Sequence, residues 1–202
     1  MPSIKPLSLI LTITLLISGC STMQERPGEQ ASTVETKEAQ KKITSALEQD
    51  YAAALKSMRE GKTERAKRQF EQLAEKNPEL AGPQTNLGII QLKENDPAAA
   101  EQSFRNAIKS NPQSAEAHNQ LGLVLRLQGR FQEAEQAYQT ALEVEPVYRL
   151  AHRNLGILYD LYLAKPEQAL EHYRVCQKLA ETEDREIEGW IIDLERRVKA
   201  AK

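Results

Sequence analysis

Residues 81–112 read AGPQTNLGIIQLKENDPAAAEQSFRNAIKSNP. Asn86-Leu87-Gly88 opens one helical run, and Ala100, Phe104, Ala107 and Pro112 punctuate the next. The same marks return further along. Leu87-Gly88, Leu121-Gly122 and Leu155-Gly156 recur at one constant interval, that of a helix-turn-helix repeat unit of about 34 residues. Working outward in that frame gives four units, 47–80, 81–114, 115–148 and 149–183. Ala66, Ala100 and Ala134 share one position, Phe70, Phe104 and Tyr138 a second, and Pro78, Pro112 and Pro146 a third. In the last unit Ala169 and Tyr173 fit once a single residue is inserted between Asp160 and Pro166.

The composition agrees with helices and excludes some partners. Only 5% of the 202 residues are aromatic, against 40% hydrophobic overall, and Ala, Gln, Glu and Leu favour helix. With 27 basic and 29 acidic residues the formal charge is −2. That balance supplies no basic face of the kind that binds phosphates, so no nucleic acid is expected.

The chain opens with one cation, Lys5, then an apolar run from Leu7 to Ile17 and the small residues Ser18 and Gly19. This is the layout of an export signal, 1–19. Eleven residues are too few for a bilayer core of roughly 30 Å, which takes about 20 helical residues. Ile17-Ser18-Gly19-Cys20 resembles the bacterial lipobox, which implies cleavage before Cys20 and lipidation, palmitate included, of that cysteine. An ordinary signal followed by an incidental cysteine is the alternative. Ser21 in place of Asp implies, by the same resemblance, the periplasmic face of the outer membrane rather than the inner one. Residues 20–36 contain Pro27-Gly28 and almost no apolar periodicity, so they form a tether from the lipid.

From Lys37 a helix is expected, with Ile43, Leu47, Tyr51, Leu55 and Met58 at helical spacing up to Gly61. Small residues at the Gly and Ala positions let two helices approach, and Leu and the rings fill the remaining space. Proline sets the phase of each unit, because it cannot continue a helix interior. This set of positions resembles the tetratricopeptide (TPR) repeat. The resemblance implies an all-α, right-handed superhelical solenoid of four helix-turn-helix repeats spanning 37–183. Residues 184–202 form a capping helix, with Ile187, Trp190, Ile191, Leu194 and Val198 on one stripe. Trp190 belongs to the core of that cap, the alternative being a ring on which a ligand stacks.

The residues that tempt a chemical reading are His118, His152, His172 and Cys176. His118 and His152 occupy the same position in consecutive units. Such positions lie about 8–10 Å apart, too far for two nitrogens to share a zinc at 2.0–2.1 Å. Cys176 falls where the preceding units place Ala107 and Ala141, so it is expected to be a small buried residue. No Gly-rich phosphate loop, Gly-x-Ser-x-Gly elbow or His-Glu-x-x-His occurs. The expectation is therefore no metal, no cofactor, no small-molecule substrate and no catalysis; a hydrolase built on His118 or Cys176 is the enzymatic alternative.

The TPR resemblance implies that the first helix of each unit lines a groove for a protein or peptide segment. It points to Asn86, Ile89, Lys93, Asn119, Leu123, Arg126, Arg153, Asn154 and Ile157. The asparagines can bond a peptide backbone, or simply their own helices and solvent, and the arginines can take a carboxylate. The layout is similar to that of TPR lipoproteins that pilot or assemble type IV or tight-adherence pili and secretion machines. The alternative is an adaptor that docks cell-wall hydrolases.

Overall fold

The computed structural model describes residues 44–201. The expected signal 1–19, Cys20 with its lipid, the tether 20–36 and the helix opening at 37–43 lie outside the described residues. The rest is a row of helix hairpins: α1 (44–59) with α2 (Thr63–Lys76), α3 (Ala81–Lys93) with α4 (Pro97–Ser110), α5 (Ala115–Leu127) with α6 (Phe131–Val144), and α7 (Arg149–Leu161) with α8 (Pro166–Lys178). A lone helix, α9 (Arg185–Ala200), follows. No helix among the described residues is long and apolar enough to cross a membrane.

The first three hairpins close on the same backbone device. Gly61, Asn95 and Gly129, one repeat period apart, hold positive φ of 72°, 63° and 76° just past the first helix. The N–H that follows reaches back five residues, Lys62 to Ser57, Asp96 to Gln91 and Arg130 to Leu125, each at 2.9 Å. This bond satisfies carbonyls that the helix end would leave open. The turn between α7 and α8 has four residues where the others have three, and its left-handed residue is Ala164. Asp96, Ser114 and Asp184 cap α4, α5 and α9 by accepting bonds from the N–H groups of Ala99, Ala117 and Ile187.

Within each hairpin from α3 onward, a ring packs against a glycine. A Cβ on Gly88 would stand 2.5 Å from the Phe104 ring, on Gly122 2.7 Å from Tyr138, and on Gly156 2.5 Å from Tyr173. All three rings are buried, as are Ala100, Ala134 and Ala169 on the second helices. Side chains from α4 through α9 form one apolar cluster, and Ala54, Ala66, Phe70, Leu73, Leu87 and Ile90 form another around α1 to α3. Cys176 is fully buried beside Tyr173 in the larger cluster.

Between hairpins, ion pairs repeat as well. Lys67 meets Glu94 at 2.6 Å, Glu101 meets Arg130 at 2.8 Å, and Glu135 meets Lys165 at 2.8 Å, each joining a second helix to the turn of the next hairpin. The carboxyl of Glu101, which burial would raise, stays below its usual range because Arg105 and Arg130 donate to it. Solvent-accessible pairs of this kind contribute little each, about 0–1 kcal/mol.

Helix α9 takes the place of a fifth first helix. Ile187 and Leu194 are fully buried, and Trp190 packs on Tyr173 with ring centroids 5.1 Å apart. Charged pairs then tie α9 and its N-cap to α7: Arg149 with Asp184, Arg153 with Glu186 and Asp160 with Arg197. Its outward side carries Glu188, Asp193 and Arg196, all exposed, as suits the end of a stack.

Candidate partner-binding groove

The first helices α1, α3, α5 and α7 stand side by side, and α3, α5 and α7 touch in sequence. Tyr51 ties α1 to α3, its hydroxyl accepting a 2.9 Å bond from Asn86. Ile89, Leu123 and Ile157, at the ninth position of successive units, are half-buried, which leaves part of each aliphatic chain accessible beside its neighbour. Lys93 is exposed at the end of α3.

The polar residues expected in the groove divide into two sets. Asn86 also donates to the Gly82 carbonyl at 3.0 Å, so its amide is engaged within the fold. Asn119 is buried, and its side-chain oxygen accepts a 2.9 Å bond from Asn154. That bond joins α5 to α7 and turns Asn119 inward, where the TPR resemblance places it on the groove surface. Arg153 already holds a carboxylate, Glu186 at 2.6 Å, and its guanidinium lies 5.4 Å from the centre of the Trp190 ring. Arg126 donates to the Tyr162 hydroxyl at 3.3 Å and stacks over that ring at 5.5 Å. Of the two arginines, Arg126 is the one that no carboxylate occupies among the described residues.

The rings beneath the groove carry hydroxyls into this charged layer. Burial pushes the Tyr138 hydroxyl up to about 12, and Arg126 partly offsets the effect. Tyr173 is raised by burial and by Asp160, against the pull of Arg153 and Arg126. These phenols stay neutral.

The histidines lie elsewhere. Nε2 of His118 donates to the Pro112 carbonyl and Nε2 of His152 to the Pro146 carbonyl, both at 3.0 Å, the same bond in two consecutive units. His152 has a second partner that repeat spacing did not reveal: its Nδ1 lies 2.9 Å from Nδ1 of His172. With the proton of His152 on Nε2, its Nδ1 accepts and His172 donates. The ring centroids are 5.1 Å apart, so the nitrogens face each other head-on and do not aim together at a point beside them. That is hydrogen-bond geometry, and no cluster of three His, Cys, Asp or Glu placed to hold a metal occurs among the described residues. Burial, helped by His152, lowers His172 to about 4. Burial raises the thiol of Cys176 instead, opposite to the depressed value of a reactive cysteine.

A recess of about 410 Å³ opens where α4, α5 and α6 meet, with Arg105, Lys109, His118 and Glu133 around Leu121 and Leu125. Arg105 and Glu133 are engaged there, by Glu101 and Arg130.

Stacked hairpins of constant period, a glycine under a ring in three of them and a lateral groove define a helical-repeat scaffold. The family profile of the tetratricopeptide repeat matches residues 85–146 and 128–175, so that stretch of the chain carries TPR repeats. Among solved structures it is similar to Pseudomonas aeruginosa pilF, with a TM-score of 0.69, 25% identity, and cover of 78% of this chain and 71% of that one. YrrB, described as "a TPR protein with an unusual peptide-binding site", gives a TM-score of 0.55 at 26% identity, covering 67% and 70%. MamA from Desulfovibrio magneticus RS-1 shares the fold, with a TM-score of 0.64 at 20% identity, covering 76% and 85%. No curated protein matches the sequence at a significant level.

Proposed function

We propose that the chain is an exported lipoprotein whose groove binds a segment of another protein, and that it serves as an assembly or piloting factor for a type IV or tight-adherence pilus or secretion machine. The observation that carries this reading is the likeness to pilF, a pilus-related TPR protein, across most of both chains. The peptide-binding site named for YrrB supports the groove as the place of contact. Resemblance of Ile17-Ser18-Gly19-Cys20 to a lipobox supports the anchor.

The physical division of labour follows. Acyl chains on Cys20, at about 0.8 kcal/mol per buried methylene, hold the chain at the outer membrane. A tether of about 16 residues lets the repeats range about 20 Å from the lipid surface. A partner held in the groove is thereby confined to that membrane.

Affinity purification of the lipidated protein from its own membrane, beside a Cys20→Ser variant, tests this. The expected result is a pilus or secretin component bound to the wild type, and loss of palmitate-analogue labelling in the variant. Unchanged labelling removes the anchor, and recovery of a cell-wall hydrolase in place of a pilus component shifts the assignment to a hydrolase adaptor.

A further inference from the structure

The closing residues of the first helices form a row: Arg59 at the end of α1, Lys93 of α3, Leu127 of α5 and Leu161 of α7. Each occupies the same place in its unit, and all four are exposed, Leu127 at 61% and Leu161 at 66%. Tyr162, next to Leu161, is also 42% exposed and stacks on Phe131, with ring centroids 4.8 Å apart. With neighbouring helices about 8–10 Å apart, the row is roughly 25–30 Å long.

Its two halves differ in charge. The acids beside Arg59 and Lys93 are held by other lysines, Glu60 by Lys62 at 2.7 Å and Glu94 by Lys67 at 2.6 Å. Neither Arg59 nor Lys93 makes an ion pair among the described residues. At the far end Asp160 is matched by Arg197 and Arg153 by Glu186, while Arg126 is stacked on the Tyr162 ring and donates to its hydroxyl, so that side presents leucine and tyrosine with its charges engaged. Two exposed cations without an acid among the described residues thus lie over α1 and α3, and over α5 and α7 an apolar ledge with Arg126 half-buried against Tyr162.

We propose that the groove is polarised along its length and takes an amphipathic partner segment, acidic where it crosses α1 and α3 and apolar where it crosses α5 and α7. This rests on the groove being the binding site. A helix suits the spacing, because side chains seven residues apart repeat at intervals of about 10.5 Å, close to the step of the row. The carboxylates of such a segment meet Arg59 and Lys93, and its leucines cover Leu127, Leu161 and Tyr162. The polarity also sets the direction in which the segment lies.

The test uses the full chain in detergent and two labelled helical peptides with four stations, one at every seventh residue. One carries Glu at the first two stations and Leu at the last two, and the other carries Lys in place of Glu. The wild type is expected to bind the Glu peptide at least tenfold more tightly than the Lys peptide. The Arg59→Glu/Lys93→Glu variant should reverse that preference, and Leu127→Ser/Leu161→Ser should weaken both peptides at least tenfold. All four substituted positions are exposed, so circular dichroism of each variant should match the wild type. A wild type that does not distinguish Glu from Lys overturns the polarity. If the serine variant alone loses binding, the groove stands without polarity; if neither variant alters it, the groove itself falls as the site.

Discussion

Burial of His172, next to His152, couples the fold to protons. An unfolded histidine titrates near 6.5, whereas His172 in the fold titrates at about 4. Between those values the unfolded chain binds the extra proton, so stability is full above about pH 6.5 and falls as the pH drops toward 4. Urea melts at pH 7.5 and pH 5 should differ by about 1–2 kcal/mol through this half-buried group, solvent screening included, and His172→Gln should remove that share of the difference. The carboxylate of Glu101, lowered in the fold, loses its contribution only at more acid pH, so the two windows separate. Repeat spacing places His152 and His118 alike, and both do bond the proline carbonyl six residues back. Contact with His172 depends on how α7 crosses α8, which spacing along one chain does not encode.

At the scale of the helix pair, the ring against glycine is the contact that sets the distance between partners. Replacing Gly122 by Ala puts a carbon 2.7 Å from the Tyr138 ring, closer than packed carbons stand. Overpacking of this kind costs typically about 1–3 kcal/mol. At roughly 2–4 °C per kcal/mol for a chain of this length, Gly122→Ala should melt several degrees below the wild type by calorimetry. Gly129→Ala is a useful companion, since its strain comes from φ of 76° with open space around it. The glycines and rings were legible in the sequence because they recur at fixed positions from the second unit onward, whereas of the left-handed residues that follow the first helices only Gly61 was marked there as a helix end. What the period did not show were the partners that a neighbouring unit brings. Asn119 turns inward because Asn154 faces it across α5 and α7, as Asn86 faces Tyr51 across α1 and α3, and Arg153 is occupied because α9 brings Glu186 to it. The lipid-bearing Cys20, by contrast, rests on a local motif outside the described residues.

The whole molecule is a stack in which each hairpin rests on the one before it and supports the one after. Stability in such a stack is close to a sum of unit terms and nearest-neighbour terms, so damage at one end stays near that end. A chain ending at Glu183 lacks Ile187, Trp190 and Leu194, and with them the cover over Tyr173. Hydrogen exchange should then quicken at least tenfold in α7 and α8, while α2 to α4 change less than twofold; uniform acceleration would mean that the repeats open as one unit. The ion pairs between hairpins carry a different consequence. Glu101 and Glu135 are acids facing bases in the next turn, but at the first joint the signs are exchanged, with Lys67 facing Glu94. Were α2 to settle on the turn between α5 and α6, Lys67 would meet Arg130, like against like. Among parts that otherwise look the same, that exchange of sign records which hairpin comes first and discourages assembly out of sequence.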